Sequence, residues 1–554
     1  MLTAAAVVAV VAGFGLVPFA QPVTAAPKPA CPAQRVDEAS ALIAARGCAG
    51  RVEVEGRRSE TTQVWANADG TLTAHVFTGP VRMRDADGTW VPVDLTLRAN
   101  ADGSVTPRAH PNGLRLSGPV GAGTHDLVGV VANGHWVTMG WVGALPRPAL
   151  SGATATYREV RPGVDLVVTA TRTGFEELLV VKNEAAVDSV GSVTVPLRAA
   201  GLSIVGDAAG NMNFRDAAGT VVGTSSVPVM FDAARDSAGQ PAQRMVVATR
   251  STVSPQTRGA NGAMGGMADL QLSPDQTYLR DPARQFPITI DPGVTSGPTG
   301  WAQVAKEFPT TAFWMQNDPN GLGVGDAPSA TGQPMTDRLL WSLPLPSSLV
   351  GASISSASFN VHQVHSWDCQ PQPVVLYRTG PISPSTTWNN QPVGDAPSGI
   401  QSSAAGCPLL PPSVVSWDAR SAVVSALNEG QPNVTVGLRA FDETSSSPNW
   451  HRYTPDNAVL TVTYAPSPVA GSTGSPHNAT ELSFGLTDKL SAQVNVASGN
   501  LLVESADMTL AGIGTDVTLG AAYNSLLVGS SLQTGAFGPG WRTLSGADVK
   551  LVVN

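Results

Sequence analysis

Asp69-Gly70, Asp87-Gly88, Asp102-Gly103, Asn112-Gly113 and Asn133-Gly134 interrupt short apolar runs such as the alternating stretch from Thr71 to Phe77. Asp-Gly and Asn-Gly adopt the positive φ that two-residue hairpins need, so a chain punctuated in this way is committed to antiparallel strands. This pattern predicts a β-rich unit over residues 55–295, with Thr252 to Gly266, rich in Gly, Ser and Thr, as a mobile loop within it. Ahead of it, Val36 to Arg46 carries Ala and Leu, early acids, a late Arg46 and a following Gly47, which predicts a helix in a short segment spanning 27–54.

A second β-unit is predicted over 300–465. Val434, Val436, Leu438 and Ala440 occupy every second position, as do Leu460, Val462 and Tyr464. One helix is expected from Ala419 to Asn428, capped by Asp418 and stopped by Gly430. Residues 466–480 form a Pro/Gly/Ser linker without an apolar period. At 554 residues the chain exceeds one core, and about 150 residues per domain suggests roughly three units. The fold class expected is therefore all-β and multidomain, with β-sandwich units joined by linkers.

With 14% charged and 42% hydrophobic residues, the chain has the balance of a folded protein. A net charge of −9, five scattered lysines and no basic run argue against a nucleic-acid partner. Leu2 to Ala20 is apolar except for Thr3, with small-residue sites at Val23 to Ala26, so residues 1–26 read as a signal peptide cut near Ala26 or Pro27. The alternative is a transmembrane anchor, disfavoured by Pro18, Pro22 and the lack of a cation before Lys28. The missing cation ahead of the apolar core points to a start codon upstream. A secreted or cell-surface location follows, with no membrane contact after cleavage. Four cysteines allow three connectivities, and proximity favours Cys31 with Cys48 and Cys369 with Cys407.

Residues 300–465 hold seven tryptophans, and exposed indoles are the surfaces on which pyranose faces stack. Core packing is the simpler role for Trp367, which shares a strand face with Phe359 and Val361, and for Trp417. Trp450 and Tyr453, set in the polar stretch Ser447 to Tyr453, are the sugar-binding candidates. Trp388, Asn389 and Asn390 are weaker ones, because Asn and Gln before proline more often bond their own turn. Asp318, Asn320 and Asp326 in a glycine-rich loop form a weak calcium candidate, with spacing unlike a known calcium loop and Pro319 intruding; no other metal site and no cofactor is predicted. His362 and His365, three apart on a strand, point to opposite faces and cannot share an ion without a bulge. Glu176 and Glu177 cannot flank one bond for the same reason, and no catalytic motif occurs, so no enzyme is expected.

The order Val494 to Val503, Tyr523-Asn524-Ser525 and Gly538-Pro539-Gly540-Trp541 resembles the start of the shell in RHS/YD-repeat proteins, with Ala521-Ala522 where that family tends to carry a basic residue. Asp87 to Leu95 and Phe286 to Pro292 resemble pieces of secreted actinobacterial proteins of that type. Ser385 to Pro392, Val415 to Asp418 and Gly437 to Ala440 resemble the DNRLRE module, a jelly-roll sandwich similar to carbohydrate-binding modules. The resemblance implies that 481–554 is the truncated start of a β-shell, with the downstream shell and toxin missing. It further implies a non-catalytic exported front end that tethers a polymorphic toxin or wall-associated protein at the envelope, through cell-wall or other extracellular polysaccharide. The alternative is a free-standing secreted carbohydrate-binding adhesin.

Overall fold

The computed structural model describes residues 29–465 and 480–544, apart from 234–244, 247, 259–263, 292, 298–299, 319, 329–333, 368, 445–447, 497–498, 511–516, 528–533 and 536. The signal segment and, save for Thr480, the linker at 466–480 lie outside the described residues. The all-β, multidomain reading is borne out: strands dominate, arranged in several sheets. No helix among the described residues is long and apolar enough to cross a membrane.

The helix runs from Glu38 to Gly47 because Asp37 sits outside it as its cap, accepting from the Ser40 N–H at 2.8 Å. The cystine Cys31–Cys48 ties its end back to the N-terminal strand region. Ala41 and Ala45 are buried, and what they are buried in was not legible in the sequence. They join one core with Val52 to Val76 and with Trp301 to Tyr464. Strand Leu72–Phe77 is hydrogen-bonded to strand Asn449–Ala465, with Leu72 opposite Tyr464, Ala74 opposite Val462 and Val76 opposite Leu460. Every second residue of the early strand is buried in this way.

Residues 97–294 form a second core between two further sheets. It is therefore an insertion: the chain leaves the first core after Phe77, builds the second, and returns at Trp301. The pairing crosses the divisions read near residues 55 and 295, because local periodicity marks strands and not their partners. The expected loop from Thr252 to Gly266 is largely strand, Ala248–Arg258 pairing with Met264–Ser273. The short helix is Arg420–Asn428, with Ala419 at its cap position; Asp418 accepts from the Arg420 N–H at 2.9 Å.

A five-stranded antiparallel sheet closes the described chain, in the order Glu481–Gly485, Leu490–Asn495, Leu501–Leu510, Val517–Asn524 and Trp541–Thr543.

Candidate functional site

Trp450 and Tyr453 are not loop residues. Both lie on strand Asn449–Ala465, whose first five residues are all buried because the strand is covered on both faces, and Trp450 and Tyr453 are 3% and 0% exposed. Tyr453 meets Trp417 edge-on with ring centroids 5.9 Å apart, and burial raises its phenol far above the ordinary value. Neither can stack on a ligand. Trp417 is core as expected, its indole N–H donating to the Val374 carbonyl at 2.9 Å. Trp367, expected in the core, is only half-buried, since the strand ends at Ser366.

Trp388 is half-buried beneath the Arg338 guanidinium, 4.7 Å above its ring, and Arg338 is itself held by Glu443 and Gln391. Asn389 and Asn390 are exposed, but the Asn390 side chain is spent on its own turn: it accepts from the Thr387 N–H at 2.6 Å and donates to the Ser385 carbonyl at 2.9 Å. The turn is also a clasp between the two cores. Ser385 Oγ donates to Asp207 at 2.8 Å, and Asn211 Nδ2 donates to the Pro384 carbonyl at 2.8 Å. Burial pushes the Asp207 carboxyl up, but hydrogen bonds from Asn213, Ser385 and Asn211 outweigh it and hold the group below its usual range. Sequence reasoning missed this role of Asp207 and Asn211, because their partners lie in the other unit. The loop holding Trp388 to Pro392 is closed by the cystine Cys369–Cys407, as expected.

The calcium candidates do not converge. Asp318 Oδ1 accepts from the backbone and side chain of Asn320 at 2.8 and 3.0 Å, while Asp326 lies on strand Leu322–Pro328 opposite Thr336 and Asn449. Burial, then Glu443 and Asp442, push Asp326 up to about 6, a site that resists charge. Among the described residues no group of three metal-ligating side chains comes together.

The C-terminal sheet is different in kind. Directly paired residues share a face, which places Leu482, Phe484, Val503, Tyr523 and Trp541 on one side, joined by Met508 and Leu519. Leu482, Phe484, Met508 and Leu510 are 55%, 53%, 51% and 51% exposed, an uncovered apolar face. The sequence elements singled out at this end meet in space. Asn500, fully buried, donates to Asn524 Oδ1 at 2.9 Å, the Leu501 N–H donates to Ser525 Oγ at 2.8 Å, the Asn524 N–H donates to the Gly540 carbonyl at 2.9 Å, and Tyr523 lies 5.4 Å from Trp541. The sheet is thus knotted at one end and open on one face.

Residues 491–551 match a family model described as a domain of unknown function (DUF6531), which occurs often in YD/RHS-type proteins. The tRNA(Glu)-specific nuclease WapA of Bacillus subtilis subsp. natto (strain BEST195) is 22% identical over 277 residues, 47% of this chain. The matched stretch is 11% of that protein, so the chain spans a small part of its relative. A xanthan lyase structure from Paenibacillus aligns over 74% of this chain and 48% of its own at 8% identity, with a TM-score of 0.09, which carries no argument.

Proposed function

We propose that this chain is the non-catalytic, exported front part of a YD/RHS-type protein, which presents a shell-starting sheet behind two β-units and places the assembly at the cell envelope. The observation that carries it is the C-terminal sheet: the stretch matched by the DUF6531 model includes most of its strands, and its apolar face is left open. An apolar sheet face needs a second layer, and further strands of a shell supply one. The two cystines support export, since disulfides persist in oxidising compartments. The toxin or nuclease activity of a longer relative would then reside outside this segment. Fractionation of producing cells tests the reading: the chain is expected in the envelope or medium, with a mature N-terminus near Ala26 or Pro27. Cytosolic chain still starting at Met1 would overturn it.

A further inference from the structure

The inserted unit carries a groove of about 530 Å³ on the outer face of one sheet, with a mixed polar and apolar lining that includes Asp102, Arg115, Asp126, Trp136 and Thr138. Its geometry starts from the Asn133-Gly134 turn, whose φ values of +48° and +80° join strands Thr124–Ala132 and His135–Val142. Val137, Met139 and Trp141 enter the core, so Trp136 and Thr138 take the opposite face of the strand, where Trp136 is exposed and Thr138 is buried. The Trp136 indole leans diagonally across the neighbouring strand and lies on Gly129. A Cβ at 129 would stand 2.7 Å from three of its ring atoms, so only glycine lets the ring lie there. Trp136 remains 36% exposed.

A row of residues crosses the sheet beneath this plate: Arg115 is opposite Gly129, Gly129 opposite Thr138, and Thr138 opposite Arg198. Each arginine is already paired, Arg115 with Asp102 at 2.5 Å and Arg198 with Asp126 at 2.9 Å. The groove therefore carries no net charge to attract an anion. It offers an aromatic face beside planar donor and acceptor groups that are about half exposed, the kind of lining that takes a sugar ring by stacking and vicinal hydroxyls by paired hydrogen bonds.

We infer that this groove binds a neutral polysaccharide, with a pyranose ring on Trp136 and its hydroxyls on Asp126, Asp102 and Arg115. The inference deepens the proposed envelope role and gives it a site on the inserted unit, away from Trp450 and Tyr453. The test is calorimetric titration of the full chain with cellohexaose, laminarihexaose, chitohexaose and dextran at roughly millimolar concentration, with inorganic phosphate as the anionic control. At least one glycan binds and phosphate does not. Trp136→Ala weakens that binding about tenfold or more and Trp136→Phe about threefold, while both variants still unfold in a cooperative thermal transition. Silence from all four glycans, binding of phosphate in their place, or full affinity in Trp136→Ala would each overturn the groove. An empty groove on a chain still found in the envelope fraction sinks the site and leaves the export reading standing.

Discussion

The tryptophan-rich first core and the C-terminal sheet are written in the same alternating code, yet one is closed and the other is not. In the first core, Trp341 is fully buried, donates to the Pro455 carbonyl at 3.0 Å and meets Phe359 at 5.0 Å. In the C-terminal sheet the corresponding apolar positions look outward, and among its described residues the buried apolar ones are Ala492, Leu502 and Ala521. Alternation makes a face apolar. It takes a second layer to make that face a core.

The largest expected consequence is mechanical. Limited proteolysis should cut within the Pro/Gly/Ser stretch between Ala465 and Thr480 and leave a stable fragment ending near Tyr464. A resistant core that keeps Trp541 would break the comparison, and the contact that would do it is visible: a Cβ at Gly499 would stand 3.0 Å from Ile43 of the N-terminal helix. Next, Trp341→Ala or Trp417→Ala should cost about 3–5 kcal/mol in denaturant unfolding, whereas the half-buried Trp541→Ala should cost about 1 kcal/mol or less. Equal costs would mean that the C-terminal sheet is covered in solution.

The pH response has two opposed limbs. His365 and His451 in the first core are held at about 4, by burial first and then by Arg452 and by His365 respectively. The unfolded chain takes these protons near 6.5, so their contribution to stability is present above that value and is lost as pH falls toward 4. Glu177 in the inserted core does the reverse, as Asp326 does more weakly in the first core. Glu177 is fully buried, its carboxylate oxygens have no hydrogen-bond partner, and burial, then Asp291, push it up to about 8. The unfolded carboxyl ionises from about 4.5, so its contribution is whole below that pH and is lost as pH rises toward 8. Glu177→Met should flatten the alkaline limb and raise stability at pH 8 by roughly 1–4 kcal/mol. Thermal unfolding across this range checks both limbs, and an unchanged alkaline limb in the variant would show that Glu177 finds a partner when ionised. The smallest effect is expected at Phe484→Ser, within about 0.5 kcal/mol on folding, together with weaker self-association in sedimentation. Unaltered association would mean that the open face is not what draws chains together.

Much of the local structure was legible. The Asn133-Gly134 hairpin, the Glu38–Gly47 helix and both cystines follow from turn chemistry, capping and proximity. The candidate site was not. Trp450 and Tyr453 sit among polar residues in sequence, and polarity of neighbours is a poor guide when Asn449, His451 and Arg452 are buried as well. Trp136 carried a weak signal, a tryptophan two residues after an Asn-Gly turn, but its value as a platform depends on Gly129 across the strand pair.

The sequence alone determined that this chain makes antiparallel strands, where many of them turn, and that its last strands form one meander with a recognisable order of Asn, Tyr and Trp. These are local properties, set by φ preferences and by which side of a strand is apolar. Only the tertiary structure decided that residues 97–294 interrupt the first core, that Leu72–Phe77 pairs with a strand almost four hundred residues later, and which tryptophans remain at the surface. Partner choice depends on the complementarity of whole faces brought together by the fold, and the residues that compose such a face lie far apart in the chain.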